Sequence, residues 1–387
     1  MINNKINPAI IVVAYNRPKS LFRLLQSIKN ASYKTKNIPL IISIDSKNSI
    51  LNEEVVSIAE NFIWEYGEKQ IVRNQASLGL KKHILLCGDF TKVYNSVIIL
   101  EDDLIVSPSF YCFAKEASQF YYNSKSIAGI SLYSYEYEEL GWFRFYPKKT
   151  GADTFFMQWA SSWGQLWTKK QWSSFRNWYS LDKNIDKINI PNQVKKWQYS
   201  WKKYFIAYLV DTEKYFVYPY NSYTTLMDSG GVHFNKNTRQ NPVNLISTAC
   251  NLSYNFTKIE NNEVKYDVFF QPKKRNIFIE SLNKEIELEF DFFSTKENNN
   301  FEAEYVMSVK KSKNPIVKFS YELIPYEDNL INNNRGDFFT IALKNDFNNS
   351  VGIFTKGNFL LNLRKILSMK QMLHVLFVRI IVKMFKH

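Results

Sequence analysis

The sequence predicts an α/β fold in which a largely parallel sheet is wound by the first part of the chain and a β-rich region follows. Two observations carry this. Short runs of branched apolar residues without polar alternation recur between residues 9 and 100, as strands buried on both faces require, and apolar residues at helical spacing separate them. Alternating strand and helix patterns select crossover connections over hairpins.

The first run is Ala9-Ile10-Ile11-Val12-Val13-Ala14, broken by Tyr15-Asn16-Arg17-Pro18. Leu21, Leu24, Leu25 and Ile28 then fall at i, i+3, i+4 and i+7, an amphipathic helix with Pro18 near its first turn. Ile38 to Ile44 reads as a second buried strand ending at Asp45-Ser46, and Val55 to Ile63 as another helix. Gln70-Ile71-Val72-Arg73 is a short strand ending in Asn74; a Leu78-Gly79-Leu80 turn leads into a helix from Lys81 to Phe90. Ser96-Val97-Ile98-Ile99-Leu100 is the next strand and stops abruptly at Glu101-Asp102-Asp103.

Past residue 130 the composition changes: eight of the nine tryptophans fall between Trp142 and Trp201, which marks a second subdomain. Indoles are large and seek an N–H partner when buried, so such a cluster serves either an aromatic core or a groove for a sugar ring. From about 250 to 355 strand-like patterns are punctuated by asparagine-rich turns at 261–262, 298–300 and 332–334. The tail from Leu360 to His387 is amphipathic and basic, with Arg364, Lys365, Lys370, Arg379, Lys383 and Lys386 and no acidic residue. A helix of that kind lies on an anionic membrane surface or packs on the core, and the membrane is the expectation taken here.

With 387 residues, two or three domains are expected, and 45% apolar with 16% aromatic residues excludes a disordered chain. The net charge of +14 favours phosphate-bearing partners. It does not make this a nucleic-acid binder: the basic residues are scattered, and no helix-turn-helix, RNP-like or zinc-finger pattern appears. Cys87, Cys112 and Cys250 are an odd count without CxxC or Cys/His ligand spacing, which speaks against a disulfide scaffold or zinc module and for a reducing compartment. The apolar stretch near the N-terminus is too short for a signal peptide, and no run reaches the length that crosses a bilayer, so a cytoplasmic chain is expected.

Three carboxylates at the carboxyl end of a buried strand stand where open α/β sheets bind ligands, and their mutual repulsion asks for a cation. Mn²⁺ or Mg²⁺ suits them, since both take oxygen ligands and commonly combine one or two carboxylates with substrate phosphates.

These residues, with Ile11 to Pro18, Ser43-Ile44-Asp45-Ser46, Asn74 to Leu80, Val97 to Leu104 and Ser107-Pro108-Ser109-Phe110, resemble the GT-A glycosyltransferases, in particular inverting family 2 enzymes and the N-acetylglucosaminyltransferase I type. The similarity is good over residues 8 to about 125 and patchier to about 235. It implies a Rossmann-like nucleotide-diphospho-sugar transferase fold with a nucleotide-sugar half (1–125), an acceptor half (126–245), a β-rich accessory region (246–358) and the basic tail (359–387). Tyr15, Asn16 and Arg17 would meet the nucleotide base and ribose, and Asp45 would accept hydrogen bonds from that side of the donor. Leu78, Gly79 and Lys82 complete the donor-side set. Asp103 matches the direct metal ligand, with Asp102 facing the ribose or sugar and Glu101 in support.

A second block, Trp159 to Trp167 with Ser162-Trp163-Gly164, looks like the acceptor-side segment of related bacterial transferases, which makes Trp159, Trp163, Gly164 and Trp167 acceptor-binding candidates. A third, Asp228-Ser229-Gly230-Gly231-Val232-His233, offers His233 to the metal shell or diphosphate. His83 is read as structural or a phosphate contact. Inverting transfer needs a carboxylate base. The resembling enzymes place an Asp after the Trp that corresponds to Trp172, but Ser173 stands there, leaving Asp153, Asp211 and Asp228 as substitutes, with Asp228 preferred for its nearness to His233.

The function implied is metal-dependent transfer from a nucleotide-diphosphate donor, a UDP-sugar, to a glycan or lipid-linked acceptor of a bacterial surface polysaccharide, on the inner face of the membrane. The alternatives are a degenerate GT-A protein that binds or scaffolds but does not transfer and, ranked behind it, a nucleic-acid-binding protein.

Overall fold

The computed structural model describes residues 7–227, 242–250 and 253–348, with 368, 370–371, 373–374 and 376–378 near the end. It divides into two units, residues 1–137 with 145–270, and residues 138–144 with 271–387.

The first unit is built on a nine-stranded sheet. Its opening half follows the expected order: β1 (Ala9–Ala14), α1 (Pro18–Lys29), β2 (Leu40–Ile44), α2 (Ile50–Asn61), β3 (Lys69–Arg73), α3 (Gly79–Asp89), a short α4 (Thr91–Tyr94) and β4 (Ser96–Glu101). Every residue of β1 and β2 is buried, as unalternating branched runs demand. Pro18 opens α1, and Leu21, Leu24, Leu25 and Ile28 are its buried stripe. The Ser49 side chain caps α2 by accepting from the Asn52 N–H.

Beyond β4 come β5 (Leu104–Val106), α5 (Phe110–Phe120), β6 (Ile127–Ser131), β7 (Thr154–Met157) and β8 (Gln165–Thr168). They are followed by α6 (Lys169–Tyr179), α7 (Asn192–Lys195), α8 (Trp201–Asp211), β9 (Tyr215–Pro219), β10 (Thr224–Leu226) and β11 (Lys265–Tyr266). The sheet order is β11-β7-β9-β6-β8-β4-β1-β2-β3. Strands β3, β2, β1 and β4 run parallel, and β8 lies antiparallel against β4 with Gln165 opposite Ile99. Because four neighbouring strands point the same way, the loops that follow Ala14, Ile44, Arg73 and Glu101 meet along one edge.

Outside that sheet, β5 and β10 form a two-stranded ribbon, Leu104 opposite Leu226, and the Met227 N–H closes it on the Asp103 carbonyl at 3.0 Å. The core of the unit joins β1, β2 and β4 side chains to Leu21, Leu24, Phe110, Phe113 and Tyr121.

One expectation fails here. Cys112 in α5 and Cys250 form a disulfide across 138 positions, with Cα atoms 5.7 Å apart, and Cys87 is the buried free thiol. Local spacing does not report a bridge between residues so distant in sequence, and the inference of a reducing compartment loses its ground with it.

The second unit carries β12 (Arg275–Ile279), β13 (Lys284–Asp291), β14 (Tyr305–Ser308), β15 (Val317–Phe319), a short α9 (Asp328–Ile331) and β16 (Phe339–Leu343). The sheet order is β12-β13-β14-β16-β15, with only β13 and β14 parallel. Apart from residues 138–144, it takes up the chain at Gln271 where the sequence reading has the β-rich region start at 246, because β11 at 265–266 still belongs to the large sheet. Buried inside it are two lysines. Lys296 Nζ lies 2.7 Å from Glu289, and Lys310 Nζ lies 3.6 Å from Asp291. Backbone N–H groups of Glu302 and Ala303 satisfy the other Glu289 oxygen, and those of Thr295 and Lys296 satisfy Asp291.

Of the basic tail, the described residues between 370 and 378 are helical. Among the described residues no helix is long and apolar enough to cross a membrane.

Candidate nucleotide-sugar site

Four strand ends assemble the site, and the sequence dictates each. Asp45 directly follows β2 and is 4% exposed, and its carboxylate turns toward the neighbouring loop rather than outward. Asp45 accepts from the Leu78 N–H at 2.9 Å and the Gly79 N–H at 3.0 Å, with Ser77 and Asn74 side chains at 3.4 Å. The first N–H groups of a helix have no partner within it. α3 lacks a side-chain cap of its own, so Asp45 supplies one from another strand. Gly79 has φ +71, in the left-handed region that a glycine enters without strain, which lets the loop turn into the helix there. Leu78 and Gly79 thus bind Asp45, while Lys82 is exposed on the first turn of α3. We expect Asp45→Ala to cost about 2 kcal/mol in a denaturant titration, the upper range of a lost cap, and to open 74–79 to proteolysis. Unchanged stability would show that the loop is held otherwise.

Asn52 is wholly buried, and its amide donates to the carbonyls of Tyr15 and Asp45, tying together the ends of β1 and β2. His83, also buried, lies 2.7 Å from the Ser43 hydroxyl, and burial holds its imidazole below the ordinary value, against the raising influence of Asp45. It is a core residue.

At the end of β4, Asp102 and Asp103 point at the same atom. Arg17 Nη1 is 3.2 Å from Asp102 Oδ1 and 2.8 Å from Asp103 Oδ2. Arg17 therefore faces the acidic cluster. Tyr15 and Asn16 stay partly exposed beside it, and Lys47 Nζ sits 5.4 Å from the centre of the Tyr15 ring. Burial pushes the Glu101 carboxyl up to about 8; Asp103 and Asp102 add to the shift, and Arg17 and Lys202 oppose it.

Do these residues suit a divalent ion? Two hard oxygens converging on one cationic point are the chemistry of a Mg²⁺ or Mn²⁺ site completed by phosphate oxygens and water. Among the described residues no three His, Cys, Asp or Glu side chains gather as a cage, so these residues offer a partial site. His233 and Asp228 lie outside the described residues.

The aromatic block supplies the neighbouring wall. Trp159 and Trp167 are wholly buried, so neither indole presents a face to an acceptor; Trp163 is partly exposed and can. Gly164 has φ +93, and a Cβ there would come 2.7 Å from the Thr224 methyl, so the backbone turns close under β10. Thr224 in turn donates to the Trp163 carbonyl.

Above them lies Lys202, 6% exposed, which sequence reasoning missed. Its ammonium is 5.0 Å from the ring centre of Trp159, 5.6 Å from Trp163, 5.7 Å from Trp197 and 5.8 Å from Tyr135, and it donates to the Tyr135 hydroxyl at 3.3 Å. Four π faces around one cation make a favourable, desolvated box. A signal was available: Lys202, Phe205, Ile206 and Leu209 are spaced i, i+3, i+4, i+7, a lysine on an apolar stripe.

Two candidate bases are not at this site. Asp211 ends α8, roughly 13 Å along the helix from Lys202. It accepts from Trp178 Nε1 at 2.7 Å and Lys183 at 2.6 Å; against the cost of burial these partners hold it below its ordinary value. Asp153 accepts from the Asn255 N–H at 2.6 Å, just before β7. Four strand positions separate β7 from β4, roughly 19 Å.

No protein-family model matches the chain, and no curated protein does. Solved structures similar to it include S. aureus TarS 1–349, at 12% identity and a TM-score of 0.35 over 57% of this chain and 60% of that one. The same protein in complex with UDP-GlcNAc aligns at 12% and 0.36 over 58% and 60%. The mannosyltransferase PcManGT from Pyrobaculum calidifontis, in complex with GDP-Man and Mn²⁺, aligns at 12% and 0.25 over 32% and 35%. The chain thus spans about three fifths of TarS 1–349, and the likeness is one of outline.

Proposed function

We propose that the chain is a GT-A glycosyltransferase that moves a sugar from a nucleotide-diphosphate donor, a UDP-sugar, to a glycan or lipid-linked acceptor in bacterial surface polysaccharide synthesis. The observation that carries the reading is the convergence of Asp102 and Asp103 on one cationic point, at the carboxyl edge of four parallel strands. That edge is where such sheets take nucleotides.

In this reading Asp103 and Asp102 hold Mn²⁺ or Mg²⁺, which when bound neutralises charge on the departing diphosphate. Tyr15 and Asn16, on a loop anchored through Asn52, face the nucleoside. Asp45 acts through the 74–79 loop that it pins. Trp163, braced by Lys202, offers the flat wall for a sugar ring. Transfer forms a bond from the acceptor oxygen to the anomeric carbon, breaks the bond from that carbon to the diphosphate oxygen, and passes the acceptor proton to a carboxylate. Asp228, next after Met227 in the chain, is the base proposed, with inversion as the outcome; the basic tail holds the enzyme against the inner face of the membrane.

Calorimetric titration of UDP, GDP, CMP and dTDP with and without Mn²⁺ tests this. UDP should bind, and only in the presence of the ion; binding of none of the four, or ion-independent binding of all, would end the proposal. One observation favours a second reading, a GT-A protein that binds without transferring: neither Asp153 nor Asp211 stands at the acidic cluster. Mn²⁺-dependent release of UDP from a UDP-sugar would exclude it.

A further inference from the structure

We propose that Arg17 is a built-in counter-cation of the acidic pair, a positioning residue that a divalent ion must displace, so that ion and donor enter together and the ion alone binds poorly. This rests on the nucleotide-sugar reading above.

Asp102 and Asp103 are consecutive, largely buried carboxylates, with side chains 9% and 16% exposed, and like charges so placed repel. One guanidinium nitrogen answers both, at 3.2 and 2.8 Å, and aims the two oxygens at a single point. Charge-assisted hydrogen bonds of this kind are about twice as strong as neutral ones. The convergence that suits a divalent ion is therefore held by a side chain occupying the ion's place. The ion and the guanidinium cannot both sit between these oxygens.

The tether explains why the exchange is feasible. Arg17 follows Tyr15 and Asn16 directly, and its carbonyl accepts the Leu21 N–H at 3.0 Å, so the backbone is fixed as the entry to α1 and the exchange has to move the side chain alone. Its side chain is 20% exposed, which gives it a way out toward solvent. A bound diphosphate adds negative charge beside the pair and compensates the guanidinium that leaves it. Binding of the ion without that anion strands the arginine, and this is the source of the coupling.

Mn²⁺ is titrated into the full chain without and with UDP, followed by calorimetry and by the electron paramagnetic resonance signal of free Mn²⁺, for wild type, Arg17→Gln and Arg17→Lys. Circular dichroism verifies folding, and Arg17→Lys keeps a positive charge if the glutamine variant is unfolded. Arg17→Gln should bind Mn²⁺ alone about tenfold more tightly than wild type, equivalent to ~1.4 kcal/mol, with the difference shrinking when UDP is present. Arg17→Lys, which reaches the carboxylates as a point charge without the planar fork, should fall between them. Wild type that binds Mn²⁺ with UDP, together with an Arg17→Gln variant whose affinity for Mn²⁺ alone is unchanged or weaker, would overturn the exchange and leave the function standing. No Mn²⁺ binding by any variant, with or without UDP, would overturn both.

Discussion

Asp103→Ala removes Mn²⁺-dependent nucleotide binding and leaves the fold intact. On the proposed reading the substitution deletes one of the two carboxylate oxygens that meet Arg17 Nη1 at the end of β4, which leaves Asp102 a weak hold on the ion. Loss of outer-sphere support to a metal commonly costs 10–100-fold, so loss of a direct ligand should cost at least about 100-fold in donor affinity. Transfer should fall by roughly 10³-fold, the scale of losing a principal electrostatic contribution at a leaving group. Stability should barely move, because Asp103 is at the rim and Arg17 keeps Asp102. Calorimetry with UDP and Mn²⁺, beside thermal unfolding of the same samples, checks both halves. Donor binding equal to wild type would reassign the ligand, and a collapsed fold would make Asp103 structural.

Lys296→Met has the largest expected effect on stability. Lys296 and Glu289 are 2% and 7% exposed at their side chains and 2.7 Å apart, in the interior of the five-stranded unit. Removing one partner of a buried pair strands the other charge and typically costs about 3–5 kcal/mol. The loss has a pH signature. Burial alone would raise the Glu289 carboxyl, but Lys296 foremost, with the N–H groups of Ala303 and Glu302, holds it below its ordinary value. That pair therefore contributes stability above the ordinary carboxylate range and loses it as pH falls through the native value. In Lys296→Met the carboxyl moves above its ordinary value, so the variant loses stability as pH rises. The gap from wild type should be widest near neutrality and narrow on acidification, in denaturant titrations at several pH values. A gap that is small or constant with pH would show that the pair contributes little.

Where the fold is set by local pattern, the sequence is legible. Unalternating branched runs give β1, β2 and β4 within two residues of their ends, Pro18 marks α1, and the stop at Glu101-Asp102-Asp103 places the acids at the rim. What depends on which residues meet across the chain is not. The resemblance makes Asp45 a donor contact, and what it does not announce is that Asp45 also accepts from Leu78 and Gly79, residues 33 and 34 positions later. Trp159 and Trp167 share a block with Trp163, and only the closing of the sheet decides that two are core and one is open. Asp211 and Asp153 are carboxylates of the right type; where they stand depends on the length of α8 and on the strands that lie between β7 and β4. The Cys112–Cys250 bridge belongs to the same class of long-range fact.

Crystals grown with a UDP-sugar and Mn²⁺, measured for anomalous scattering at the manganese edge, address the central claim most directly. A single manganese peak in coordination contact with Asp103, with the Arg17 guanidinium withdrawn and the diphosphate on the far side of the ion, is the result predicted. A nucleotide or a manganese ion bound away from the carboxyl ends of β1, β2 and β4 would contradict it.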